Sequence, residues 1–385
     1  MISTVHRNSP VESSSGELLV FDLEKKLVVR RCEIVEPPFR KVNPNPRGGL
    51  RGLKGICINE KFIVLANAST IFLYDSNWKP IRYFWHPSCA NIHDIAIDQD
   101  KIWVTSAQND LLLGFSLKGS VQEIIDLRGF ANLINGIKWR PPKMLTLEQF
   151  KIGKLNFRDP RTHNWALSDS AHLNSIAILQ NGDKLVSCGL LKSQNQLQLM
   201  RLKRGLERLG VWEKIYWINA TLRKSFMETN NRNQAVIPVF PNPGASAVFR
   251  IKENMIVDCC LFIKDILSPS HSINLLSDFS AIYLNTTKGE ILNFDPNSGQ
   301  ILSTFEVGKY FLRGAKQLPD GTLLLGDGMR LLHVDLQNKK LISSSTVTGT
   351  PNNAIYDIEI LPKHFSLPPK SFIEHHTKFL PVRQK

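Results

Sequence analysis

A short strand–turn–strand unit recurs along this chain, and the recurrence narrows its fold more than composition does. The unit reads GELLVFDLEKKLVVRRCEI from Gly16, TIFLYDSNWKPIRYFW from Thr70 and DLLLGFSLKGSVQEIID from Asp110. It returns as SAVFRIKENMIVDCC from Ser246, GEILNFDPNSGQILSTFEV from Gly289 and MRLLHVDLQNKKLISSSTV from Met329. In each copy β-branched and aromatic residues flank Asn, Asp, Gly or Lys, the pattern of a β-hairpin. Helical periodicity is scarce throughout.

A second strand pair precedes these hairpins. Its first strand reads LKGICI (Leu53–Ile58), IHDIAI (Ile92–Ile97), LNSIAI (Leu173–Ile178), SHSINL (Ser270–Leu275), LRGAKQ (Leu312–Gln317) and IYDIEI (Ile355–Ile360). A tight turn and an apolar strand such as FIVLANA or KIWVTSA follow in most copies. Two strands plus two make a four-stranded antiparallel blade, and six copies predict an all-β, six-bladed β-propeller. Positions 54 and 93 stand 39 residues apart, 271 and 313 stand 42 apart, and 313 and 356 stand 43 apart. The last inner strand has no hairpin after it, while the N-terminal strands (Ile2–Arg7, then Gly16–Ile34) lack an inner partner. The last blade is therefore expected to be closed by the N-terminal strands plus the C-terminal inner strand, which removes free sheet edges. The propeller is expected to span residues 1–362, leaving 363–385 as a basic C-terminal tail.

Blade strands run from the axis outward, A to D, so D-to-A and B-to-C connections share one face. Two insertions, about 128–171 and 191–243, fall on a D-to-A and a B-to-C connection. Long loops inside a compact domain are usually functional or disordered. These hold Trp139, Trp165, Trp212, Trp217, Phe150, Phe157 and Tyr216, and are expected to form a lid on one face.

The inner strands begin at that same face, beside the axis. Their second residues are Lys54, His93, Asn174, His271, Arg313 and Tyr356; their third are Gly55, Asp94, Ser175, Ser272, Gly314 and Asp357. His172 stands two residues ahead of Asn174 and is expected to reach inward as well. The second-position ring holds two cations, two imidazoles and a phenol with no carboxylate, and Glu is absent from both rings. Such a ring predicts an electropositive well for an anion. Because adjacent residues on a strand point to opposite faces, His93 and Asp94 are not expected to form a His–Asp dyad. His86 and His163 fall in loops and read as surface residues.

Three imidazoles also raise the question of a divalent metal, since catalytic zinc is often held by three His and a water. Lys54 and Arg313 would repel a dication, and HxxxH and HxH spacings are absent, so no metal is assigned and no cofactor is required. The chain has no GxSxG, GxxxxGK[ST], HExxH or CxxC.

With 48 Lys+Arg against 34 Asp+Glu, the net charge is +14, which would suit nucleic acid. The basic residues are spread out, however, without interleaved aromatics, so nucleic-acid binding is not expected. No run reaches the ~18 apolar residues of a membrane span. The N-terminus lacks the apolar core of a signal peptide, and six scattered cysteines read as reduced thiols, so the expected location is cytoplasmic.

The run NIHDIAIDQDKIWV (Asn91–Val104), then IKWRPP (Ile137–Pro142), HLNSIAI (His172–Ile178), SHSINL and FLRGAKQLPDGTLLLGD (Phe311–Asp327) resembles an uncharacterised bacterial β-propeller family of unknown function. The IHD, WRPP, HLN and RG elements stand in the right order over most of residues 50–345. Ile273 departs from the family pattern, which has proline there. The resemblance implies the fold and no activity. The chain is more distantly similar to propeller lactonases and lyases, but Lys54 stands where their metal-binding acidic residue would be.

The function expected on these grounds is binding of a small anionic ligand at the axial mouth, with lyase or cyclase chemistry. His93 or His271 would be the base and Tyr356 the acid, while Lys54, His172, Asn174 and Arg313 hold the ligand. The alternative is a non-catalytic protein-interaction scaffold.

Overall fold

The computed structural model describes residues 1–6, 16–33, 52–128, 155–159, 162, 169–192, 198, 202, 205–206, 209–211, 244–266, 268–349 and 353–372. Among them are 24 strands in six four-stranded antiparallel sheets. The chain opens with β1 (Ile2–His6), β2 (Glu17–Asp22) and β3 (Leu27–Glu33). Blade 1 follows as β4 (Gly55–Ile58), β5 (Phe62–Ala66), β6 (Ile71–Asp75) and β7 (Pro80–Phe84). Blade 2 is β8 (Ile92–Asp98), β9 (Lys101–Ser106), β10 (Leu111–Ser116) and β11 (Val121–Asp126). Blade 3 is β12 (Leu173–Ile178), β13 (Lys184–Leu191), β14 (Gly244–Lys252) and β15 (Met255–Ile266). Blade 4 is β16 (His271–Leu275), β17 (Ala281–Asn285), β18 (Glu290–Phe294) and β19 (Ile301–Glu306). Blade 5 is β20 (Leu312–Gln317), β21 (Leu323–Asp327), β22 (Arg330–Asp335) and β23 (Lys340–Thr346), and β24 (Asn353–Ile358) ends the series. β24 pairs with β1, giving a sixth sheet in the order β24-β1-β2-β3. The chain is a six-bladed β-propeller closed by its two ends, as the repeat predicts.

Each blade is buried on both faces, so its middle strands read as continuous apolar runs rather than alternating ones. In β5 the alternation survives as a choice of neighbour. Ile63 and Leu65 face the core shared with the closing blade, and Val64 and Ala66 face the core shared with blade 2. Six apolar clusters result, one between each adjacent pair of blades. The C-to-D turns carry a second repeat. Strand C ends in Asp22, Asp75 and Asp335 in three blades and is followed directly by Asp295 in a fourth, and each carboxylate accepts backbone N–H of the following turn at 2.8–3.3 Å. A short acidic side chain that folds back on its own turn fixes the hairpin locally.

The segment read as a tail keeps packing beyond residue 362. Ser366 N–H donates to Ser76 O at 3.0 Å, and the Trp78 indole N–H donates to Ser366 O at 2.7 Å. The Phe372 ring lies 5.6 Å from Tyr74 and 5.9 Å from Trp78, fully buried. Leu361, Phe365 and Phe372 therefore belong to the core between the closing blade and blade 1. The remainder of the tail lies outside the described residues, as do Trp139, Phe150, Trp165, Trp212, Tyr216, Trp217 and His163 of the expected lid and loops. The described part of the first insertion sits on the D-to-A face: Phe157 N–H donates to Pro87 O at 2.9 Å and Arg158 stacks 4.1 Å from the Trp85 ring centre. His86, read as a surface residue, is half-buried there, and burial, then Arg158, pushes its imidazole down to about 4.

No disulfide joins the six cysteines. Burial pushes the thiols of Cys57, Cys89 and Cys259 up to about 12, the state of inert packed side chains. No helix among the described residues is long and apolar enough to cross a membrane.

Candidate functional site

All six inner strands begin at one end of the axis, and five carry a β-bulge there. Ile92 pairs with Ser106 and Ile95 with Val104, so His93 and Asp94 share one position opposite. Asn174, Ser272, Gly314 and Tyr356 are the extra residues of the other four bulges. A bulge breaks the in–out alternation and re-aims side chains. This is why second and third residues of one strand both line the axial cavity, a space of about 300 Å³. His93 and Asp94 are therefore not sent to opposite faces of β8, as alternation predicts. The two still form no dyad, because Asp94 turns to the neighbouring blade.

The third-position residues clasp the blades together. Asp94 Oδ2 accepts the Ser175 hydroxyl at 2.8 Å and Ile176 N–H at 3.0 Å. Ser175 Oγ accepts Ile273 N–H at 2.8 Å, and Ser272 Oγ accepts Gly314 N–H at 2.9 Å. Asp357 Oδ2 accepts Ile56 N–H at 2.8 Å. The two glycines close the circle by contact, since a Cβ on Gly314 would meet Asp357 Cα at 3.0 Å and one on Gly55 would meet Ile95 Cγ1 at 2.8 Å. Burial raises the Asp94 carboxyl to about 6. Burial, then the charge of Asp94, raises Asp357 well above the usual range. The axis is thus less one-signed than a ring without carboxylates implied.

Above this clasp the second-position side chains converge. Arg313 lies with its guanidinium carbon 3.2 Å from the Tyr356 ring centre and donates to His93 Nδ1 at 2.8 Å. A guanidinium has no lone pair to offer, so His93 Nδ1 must accept and the proton sits on Nε2. Burial, then Lys54, His172, Arg313 and His271, holds the His93 pKa well below its ordinary value. Lys54 Nζ donates to Asn91 Oδ1 at 2.7 Å and lies 5.5 Å from the Tyr356 ring centre.

The other two imidazoles have the opposite tautomer. The Thr286 hydroxyl donates to Leu312 O at 2.9 Å, so its oxygen receives Nδ1–H from His271 at 3.1 Å. His172 Nδ1 lies 3.1 Å from Asp169 Oδ2 and therefore donates to a carboxylate. Burial alone would push Asp169 up, but Lys192 and His172 hold it at about 2. In both histidines Nε2 is left as the lone-pair nitrogen. Asn174 lines the cavity, whereas Lys54 and His172 stand just ahead of the inner strands and outside its lining; the Asn174 amide serves the scaffold, donating to Ser270 O and accepting the Ser187 hydroxyl at 2.5 Å.

Ring nitrogens of His93, His172 and His271 lie within 4.8 Å of one another. His172 and His271 have the tautomer and the outer partners of metal ligands. His93 has not, because Arg313 occupies its Nδ1 and the proton its Nε2.

The sequence reading brought Lys54, His93, His172, Asn174, His271, Arg313 and Tyr356 to one place, and the structure places them together. It missed Asp169 and Thr286, which fix two of the tautomers. For Asp169 the signal was Asp-x-x-His at the end of a loop; for Thr286 there was none.

No protein-family model matches the chain, and no curated protein matches it. The order of IHD, WRPP, HLN and RG elements remains a resemblance. Among solved structures, a nidogen/laminin complex is similar at 9% identity over 93% of this chain and 97% of that one, with a TM-score of 0.50. A protein of unknown function from Bacteroides caccae is similar at 11% identity over 93% and 98%, with a TM-score of 0.49. A catalytically inactive virginiamycin B lyase from Staphylococcus aureus with quinupristin is similar at 12% identity over 78% and 71%, with a TM-score of 0.43. Only the first reaches a TM-score of 0.50, and it bears on the fold alone.

Proposed function

We propose that the axial cavity binds a small anionic ligand and performs lyase-like acid–base chemistry on it. The observation that carries this reading is the juxtaposition of Arg313, lying over Tyr356 and tied to His93, with Lys54 and two imidazoles of opposite tautomer. Arg313 and Lys54 supply positive charge in a site screened from water, where it attracts a carboxylate or phosphate more strongly than on the surface. His93 enters as a hydrogen-bond donor through Nε2–H rather than as a base. His271 or His172 accepts a proton from the carbon next to the ligand's anionic group. The electron pair left there forms a double bond and expels a leaving group, which takes its proton from Tyr356.

A thermal titration tests the binding. Sulfate, phosphate and simple carboxylates are added to wild type and to the Arg313→Ala, Lys54→Ala double mutant. A ligand at 100 times its Kd stabilises the folded state by about 2.7 kcal/mol. Wild type is expected to gain stability and the double mutant not to. Equal responses would leave the axis a solvated channel.

A metal is the second reading, favoured by the three-imidazole cluster. It requires Arg313 to leave His93. Cobalt(II) absorption on wild type, lost in His172→Ala and His271→Ala, would establish it.

A further inference from the structure

The segment that carries His172 is held more firmly than a connection needs to be. Asp110, from the B-to-C turn of blade 2, accepts Ser170 N–H at 2.9 Å and Ala171 N–H at 3.0 Å. Arg128 stands behind it, with Nε 3.5 Å from Asp110 Oδ2. From the other side, Gly189 N–H donates to His172 O at 3.0 Å and Lys192 N–H to Ser170 O at 2.9 Å. Lys192 Nζ also donates to Asp169 O and lies 3.9 Å from Asp169 Oδ1. Two blades thus grip four consecutive residues.

The grip holds an unfavourable backbone. His172 has a φ of 52°, in the left-handed region that side chains with a Cβ seldom adopt. Strain of this kind persists only where surrounding contacts over-determine it, and it concentrates at functional sites. Here it sets the imidazole edge-on to His93, with ring centres 4.7 Å apart.

We infer that His172 is the proton acceptor of the axial site and that Asp169 is the positioning residue that aims it. The inference rests on the acid–base reading above and chooses between its two candidate bases. When Nε2 takes a proton from the ligand, the electron pair stays on the ligand and faces Arg313 and Lys54. The new imidazolium keeps its Nδ1–H on the Asp169 carboxylate, a charge-assisted contact. His271, nearly buried at 3% exposure, presents its Nδ1–H to a neutral hydroxyl, that of Thr286, rather than to a carboxylate. The His172 side chain is also the more open, at 17% exposure.

Carbethoxylation with diethyl pyrocarbonate, mapped by mass spectrometry at neutral pH, reads the nucleophilicity of each Nε2 without any ligand. His172 is expected to react before His271 and His93. Asp169→Ala is expected to slow it by about tenfold through loss of the carboxylate partner, and Asp169→Asn to restore part of the rate. If the carboxylate merely shields the ring, Asp169→Ala will react faster, and the inference fails. His172→Asn provides a second measurement, because Asn tolerates left-handed φ and cannot act as a base. An unchanged or raised melting temperature supports a strained functional residue; a clear fall means that His172 is structural. Sulfate stabilisation is measured on the same variants. Its loss from wild type counts against anion binding, whereas unaltered His172 reactivity in Asp169→Ala counts against this inference alone.

Discussion

Arg313 donates to His93 Nδ1 across 2.8 Å, joining blades 5 and 2 through side chains 220 residues apart in sequence. The bond fixes the charge of both partners: the guanidinium keeps its proton, and the imidazole stays neutral in a buried place.

That neutrality makes stability depend on pH. The folded pKa of His93 is depressed, so below the unfolded value of about 6.5 the unfolded chain takes up a proton that the folded one refuses. The contribution is complete above that pH and is lost progressively below it, until pH falls through the folded value. Between pH 7.5 and 5.5, wild type is expected to lose up to about 1.4 kcal/mol more than His93→Gln, whose amide oxygen accepts from Arg313 without titrating. Urea denaturation at three pH values measures the difference. Identical slopes would falsify a neutral His93.

The clasp around the axis is open to deletion. Asp94→Ala leaves the Ser175 hydroxyl and Ile176 N–H without their acceptor, at a cost of about 2–4 kcal/mol. Ser175→Ala removes the acceptor of Ile273 N–H and is expected to cost about 1–2 kcal/mol. Shifts in urea midpoint of less than half these sizes would mean that the blades hold by apolar packing alone.

Two glycines with the same backbone hand separate strain from crowding. Gly314 has φ +71 with Asp357 Cα 3.0 Å from a built Cβ, whereas Gly321 has φ +86 in open space. Gly321→Ala is expected to cost about 1 kcal/mol, the backbone effect alone. Gly314→Ala should cost at least about 2 kcal/mol more and weaken anion binding, because Tyr356 and Asp357 must move. Equal melting temperatures for the two variants would refute the close approach of blade 5 and the closing blade.

Phe372→Ala tests the packing of the C-terminal segment. Emptying its place beside Tyr74 and Trp78 is expected to destabilise by about 3 kcal/mol. A melting temperature within one degree of wild type would show that residues 361–372 are dispensable.

The blade count was legible because the repeat spacing and the orphan strands at both ends constrain the same ring. The axial residues were legible because equivalent positions in a closed ring must converge, however distant in sequence. What the sequence withheld was local geometry. Bulges in five inner strands undid the alternation used to separate His93 from Asp94. Thr286 meets His271 only through the bend between β17 and β18, and Phe372 meets Trp78 only after the chain has crossed to another blade. Composition and spacing carry no signal for such contacts.

Ring closure also sets a schedule for synthesis. Ile2 pairs with Ile358, so β1 leaves the ribosome long before its inner neighbour β24 is made. At the usual elongation rate of about 5–20 residues per second, that interval lasts roughly 20–70 s. Throughout it, the N-terminal hairpin and the growing stack of blades each present an unpaired sheet edge, the surface most prone to joining another chain. Slowing translation should raise aggregation rather than relieve it.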